Sequence, residues 1–296
     1  MVRAVMVLLI LLIRLAYAND ISRQEQGDDL VFHADNLFLT ERVNLQDVPY
    51  STAVDTVQML FDELGYTSPV LHVPLVRSFL NMENGENVCV LNRIKSPERE
   101  RSFLYSLPLN FFQTQRFYQI ASLPPINEYF LNADGEVQSI HDVLASYPES
   151  FIVLPEFYSF GEKVDADIGQ VDKNQILRVA NDAYYSRFMN MFANGKSDFA
   201  LLFPATVYRN FGEDMPVAVR SYAIAGNPSV VSGHVICPST QQGASHIERI
   251  NSAIKLLYTR PEFIEAHTNY LPAQDIPNLR GAIEIAINDI LTSGIN

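Results

Sequence analysis

Basic side chains are scarce in this chain: 21 Lys and Arg stand against 34 Asp and Glu, a net charge of −13. Phosphate backbones are bound by clustered Lys and Arg, so nucleic acid is a poor partner for such a surface. Cysteine is scarcer still, with Cys89 and Cys237 alone. Neither has another Cys or a His pair at ligand spacing, which argues against a metal site. The six histidines (His33, His72, His141, His234, His246, His267) are dispersed. There is no Gly-x-Ser-x-Gly elbow, no phosphate loop and no HExxH, so the commonest hydrolase, nucleotide and zinc-protease signatures are absent. Asp165, Asp167 and Asp172 invite a calcium loop, but Ile176 occupies the place where that register needs its bidentate Glu. No cofactor is implied. No internal repeat or low-complexity tract occurs either.

What is present begins with an address. Arg3 gives a positive start, Val5 to Ile13 is an apolar core, and Ala16-Tyr17-Ala18 is a small-x-small cleavage site, so residues 1 to 18 read as a secretory signal peptide. The unbroken apolar stretch falls well short of the roughly 20 residues that span a bilayer. No Cys follows the cleavage site, so a lipoprotein anchor is not expected, and the chain is expected as a monomer in the periplasm. Cleavage removes Arg3 and Arg14 and no acid, which takes the net charge to −15. The remaining 278 residues, from a chain that is 48% hydrophobic, can fill two cores.

Along the chain, strand and helix patterns alternate. Leu30-Val31-Phe32 reads as a strand, Ala34 to Pro49 as a polar loop that could carry Phe38 to a ligand, and Ser51 to Leu64 as a helix ended by Gly65. Phe38 could equally anchor that loop to the core. Tyr66 to Val73 is a second strand, a short helix follows Pro74, and Val88 to Leu91 is a third strand. Such an order argues for a parallel sheet with crossover helices. Cys89 lies in the run VCVL and Cys237 in HVIC, so a bridge between neighbouring strands of one lobe is expected, the alternative being two buried free thiols.

Past the third strand, Ser96 and Pro97 read as the N-cap and first position of a helix. Its first turn carries Glu98, Arg99, Glu100 and Arg101. A guanidinium beside helix N-terminal amides can receive a carboxylate, and a self-paired, solvated charge run is the plainer alternative. After Pro124-Pro125 a second lobe is expected. It has a strand Phe151 to Leu154, a turn that places Tyr158 and Ser159 near a helix start, a long helix from Asn174 to Phe192, and a strand Phe199 to Phe203. Pro204 to Pro228 reads as irregular apart from Val217 to Ala223. The strand Val230 to Cys237 and helices ending near Tyr258 and Thr292 complete the chain.

Three stretches carry a resemblance. Lys95-Ser96-Pro97-Glu98-Arg99, Tyr105-Ser106-Leu107-Pro108 and Gly195-Lys196-Ser197-Asp198, in that order behind an export signal, resemble the type II periplasmic solute-binding proteins of the amino-acid-binding kind. The resemblance implies an α/β, two-lobed type II fold, each lobe a mixed, mostly parallel sheet with flanking helices, joined by two hinge strands. It assigns residues 19–113 and 226–296 to lobe 1 and residues 114–225 to lobe 2. It implies a binding protein and no enzyme, holding a small carboxylate-bearing ligand, an amino acid or a related or aromatic acid, and passing it to a membrane permease or a sensor protein. A dehydratase-like enzyme on the same fold is the alternative. Arg99 falls where the family grips the ligand carboxylate, with Ser96 beside it. Ile94 falls where the family often has a hydroxyl, and Phe203 where many members place the acid that meets the ligand ammonium. Glu156 could substitute for that acid. Otherwise Phe203, Tyr158 and Phe38, with Ser159 nearby, would wall a site for an aromatic or unsaturated acid.

Overall fold

A computed structural model describes residues 30–156, 158–179, 189–212, 216–273 and 275–293. The expected signal peptide lies outside the described residues. In chain order the strands are β1 (Val31–Ala34), β2 (Leu71–His72), β3 (Val88–Arg93), β4 (Phe103–Tyr105), β5 (Asn110–Gln113), β6 (Arg116–Ile120), β7 (Ile152–Pro155), β8 (Ile176–Val179), β9 (Phe199–Leu202), β10 (Val219–Tyr222) and β11 (Val230–Pro238). The α-helices are α1 (Leu37–Asn44), α2 (Thr52–Leu64), α3 (Leu75–Glu83), α4 (Pro97–Glu100), α5 (Ile140–Ala145), α6 (Glu162–Ile168), α7 (Met189–Ala193), α8 (Pro204–Phe211), α9 (Gln241–Leu257), α10 (Pro261–Thr268) and α11 (Ile276–Ser293).

Two mixed sheets organise these elements. The first runs β2-β1-β3-β11-β4, with β5 also paired to β11; β1 is parallel to β2 and β3, and β11 is antiparallel to its neighbours. The second runs β10-β6-β9-β7-β8, with β7 parallel to β8 and β9 and the other pairs antiparallel. Helices cover both faces of each, which explains the continuous apolar runs in the sequence. In β3, Cys89 and Leu91 face the core under α2 and α9, whereas Val88 and Val90 face the core under α3. In β9, Phe199 and Leu201 face one core, and Ala200 and Leu202 the other.

Cys89 and Cys237 form a disulfide between β3 and β11, with Cα atoms 4.3 Å apart. The chain crosses between the sheets twice. The crossings run side by side, the Thr114 amide donating to the Ser229 carbonyl at 2.9 Å and Asn227 Nδ2 to Thr114 Oγ1 at 3.2 Å.

Several local expectations give way to packing. The presumed loop after β1 contains α1, because Asn36 caps it by accepting the Leu39 amide at 3.0 Å, and Leu39, Thr40 and Val43 turn inward. The presumed long helix from Asn174 begins instead with strand β8, whose Ile176 to Val179 pair with β7; residues 180–188 lie outside the described residues. The second strand shrinks to Leu71–His72. Helices α8 and α10 were not legible as such, and both open on a proline at N1. Proline there loses no hydrogen bond and has the helical φ already set, so it starts these helices. Helix α10 then buries Phe263, Ala266, His267 and Thr268.

Candidate functional site

The chain ends four parallel strands at one place. Asp35 lies one residue past β1 and Arg93 closes β3, while Tyr158 follows β7 and Phe203 follows β9. In open α/β sheets, loops at the carboxyl ends of parallel strands form the crevice. Here they border a partly open cavity of about 140 Å³ between the two sheets, lined from the first by Asp35, Phe38, Tyr50, Asn92 and Arg93, and from the second by Tyr158, Phe203, Thr206 and Arg209.

The floor of the cavity is a buried ion pair. Arg93 Nη2 donates to Asp35 Oδ1 at 2.6 Å and Nη1 to Oδ2 at 3.2 Å, while Nε donates to the Leu91 carbonyl at 2.9 Å. Both side chains are less than a tenth exposed. The fork matches a carboxylate with two parallel bonds, so each charge is neutralised by the other. Next to it, Asn92 takes a left-handed backbone conformation, φ 54°. Its Oδ1 accepts from Asn110 Nδ2 at 3.3 Å, and the Asn110 Oδ1 accepts the Thr56 hydroxyl. Gly233 on β11 lies so close that a Cβ there would sit 2.4 Å from Asn92 Oδ1.

Aromatic rings make much of the wall. The Phe112 and Phe203 rings meet at 5.7 Å across the two sheets, and Tyr158 packs on Phe160 at 5.1 Å. Tyr50 carries two guanidinium groups over its ring, Arg42 at 4.6 Å and Arg209 at 5.1 Å. Arg42 is paired with Asp47, whose hydrogen bond raises its pKa. Arg209 has no ion pair among the described residues. Behind Tyr50, Asp55 accepts the Tyr50 and Ser51 amides at 2.9 and 3.3 Å and the Tyr270 hydroxyl at 2.5 Å. Burial, and then Asp55, push the Tyr270 phenol up.

Of the residues expected at the site, Phe38, Tyr158 and Phe203 line this cavity. Arg99 does not. It is half-buried, stacked over Phe79 at 5.5 Å, with Nη1 3.4 Å from the Ile94 carbonyl. Burial lowers its pKa, and the charge of Arg93 adds to that. With Tyr158 and Ser159 it borders a void of about 10 Å³, room for one water. Ser96 caps α4, accepting the Arg99 amide at 3.4 Å. The Ser159 hydroxyl donates to Asp165 Oδ2 at 2.5 Å. Asp35, Tyr50, Arg93 and Arg209 were missed. Asp35 and Arg93 each follow or close a strand, but what joins them is the pairing of β1 with β3, which no local pattern shows; Arg209 gave no signal, because its helix was not legible. Among the described residues no three metal-ligating side chains are gathered, and no helix is long and apolar enough to cross a membrane.

No protein-family model and no curated protein matches the sequence. Solved structures do match. The arginine-, lysine-, histidine-binding protein ArtJ from Geobacillus stearothermophilus aligns over 83% of this chain and 98% of its own, with a TM-score of 0.56 at 14% identity. The chain has the two-lobed periplasmic binding protein fold. A Salmonella typhimurium periplasmic binding protein with high arginine specificity aligns over 82% of this chain and 99% of its own, TM-score 0.57 and 12% identity. A histidine kinase sensor domain similar to periplasmic binding proteins aligns over 82% and 95%, TM-score 0.56 and 12% identity. These neighbours thus include binding proteins and a sensor domain. At such identities the likeness is one of fold, and the ligand must be argued from the cleft.

Proposed function

We propose that this chain is an exported, periplasmic solute-binding protein that captures a small carboxylate-bearing molecule by closing two lobes around it. The observation that carries the reading is the cavity whose walls come from the carboxyl ends of β1 and β3 on one side and of β7 and β9 on the other. A ligand that touches both walls stabilises the closed form over the open one, so closure follows from differential affinity. The lobes divide as 19–113 with 226–296 and 114–225, and the paired crossings near Thr114 and Ser229 act as the hinge. Phe38, Tyr158 and Phe203 contact the ligand. Arg99, Ser96 and Ser159 work at the seam beside it, where Arg99 adds positive potential and meets the second lobe on closure. The bound protein would engage a membrane permease or the outer domain of a sensor.

Binding without turnover is the expected chemistry, because the carboxylate on the cavity lining, Asp35, is committed to Arg93. Native mass spectrometry of gently purified protein should reveal a stoichiometric small acid. Thermal-shift screening with amino acids, peptides and aromatic acids should then raise the melting temperature for that class. A panel in which no carboxylate stabilises the protein rejects the reading.

A further inference from the structure

The charges on the cleft lining are unequal, and the inequality bears on what kind of acid the proposed binding protein takes. Asp35 is the lining's one carboxylate among the described residues, and both of its oxygens are held by Arg93. Arg93 spends all three of its nitrogens on Asp35 and on the Leu91 carbonyl. That pair cancels. The remaining charged group on the lining is Arg209, in the last turn of α8, which lies over Tyr50 and has no ion pair among the described residues. Asp55 is near but already takes two amides and the Tyr270 hydroxyl. Among the described residues, the lining therefore offers one cation without an ion pair and no carboxylate that is not already held.

Shape points the same way. Phe38, Phe112, Tyr158 and Phe203 supply ring surface beside a partly open cleft of about 140 Å³, a volume of the order that holds one benzene-sized ring. An ammonium brought into such a cleft loses water and meets, among the described residues, only Asp35, which Arg93 already holds, and that is costly. We infer that the cleft selects small aromatic carboxylates lacking an amino group, with Arg209 as the receptor for the carboxylate. This rests on the reading above and narrows it. Arg99, at the seam, is not the ligand clamp.

Titration calorimetry on the full chain tests it with phenylacetate, its neutral amide phenylacetamide, and L-phenylalanine. Phenylacetate should bind at least tenfold more tightly than either of the others. Arg209→Gln should weaken phenylacetate at least twentyfold and leave the amide within about threefold, and Arg209→Lys should recover part of the loss. The amide serves as the control for folding, since a damaged cleft would lose both ligands alike. If L-phenylalanine or another amino acid binds more tightly than phenylacetate, or if Arg99→Gln abolishes acid binding while Arg209→Gln does not, this inference is overturned and carboxylate capture stands. If no acid binds at all, both fall.

Discussion

Arg93 holds both carboxylate oxygens of Asp35, at 2.6 and 3.2 Å, although 58 residues of chain separate them. The pair locks the ends of β1 and β3 at the cavity floor. Removing one partner strands a buried charge, so Asp35→Ala should cost about 3–5 kcal/mol, read by urea unfolding. Replacing both, as in Asp35→Leu with Arg93→Met, should cost markedly less, because no charge is then left unpaired. Equal losses in the single and double variants would show that the pair is not what holds this corner.

The disulfide closes a long stretch of chain, the cysteines being 148 residues apart. A loop above 100 residues corresponds to an entropic stabilisation of about 4–5 kcal/mol, with 2–5 kcal/mol typical of measured losses. Reduction, or Cys89→Ala with Cys237→Ala, should lower the denaturation midpoint accordingly. A non-reducing peptide map should show the two peptides linked; free alkylation of both would sink the bridge.

Gly233 leaves room for the side chain of Asn92. Alanine there would bring Cβ to 2.4 Å from Asn92 Oδ1 and 3.2 Å from the Asn110 Cβ. Gly233→Ala should therefore displace the Asn92, Asn110 and Thr56 line, cost about 1–3 kcal/mol as overpacking does, and weaken ligand binding at the same time. A loss of stability with unchanged affinity would separate the line from the site.

Two buried histidines give the protein an acid-sensitive window. Burial lowers His234 and His267 to about 4, against the hydrogen bonds their Nδ1 atoms donate to the Ser106 and Phe263 carbonyls, which pull the other way. Their unfolded value is near 6.5, so the unfolded chain takes up protons first as pH falls. The stability they contribute is present above about 6.5 and is lost between about 6.5 and 4, up to about 3 kcal/mol for each. His267 sits against Phe111 and Phe263, at 5.6 and 4.6 Å between ring centroids. A His267→Phe variant should flatten its share of the slope in pH-dependent unfolding, and an unchanged slope would reject the assignment.

The fold was more legible than the site, for physical reasons that particular residues show. Strands covered on both faces announce themselves as runs such as Val88 to Leu91, and Ser51 with Gly65 punctuates α2 at both ends. Helices α8 and α10 were hidden because Pro204 and Pro261 are ambiguous without neighbours: the same ring that breaks a helix begins one. In the cleft, Phe38, Tyr158 and Phe203 came from resemblance and order along the chain. Arg93 escaped notice because its role depends on β1 lying beside β3, a long-range pairing that no local pattern contains. Arg99, by contrast, stood out locally through its cap and its charged neighbours, yet its contacts are with Phe79 and the Ile94 carbonyl.

The bond between β3 and β11 has one more consequence. The whole of the β6–β10 sheet lies between Cys89 and Cys237 in the chain, so the disulfide ties the two ends of that excursion together at its base. A protease that nicks the second lobe would thus leave two polypeptides still joined, running as one species on a gel until reductant is added. Damage to the second lobe need not release the half that carries Asp35 and Arg93.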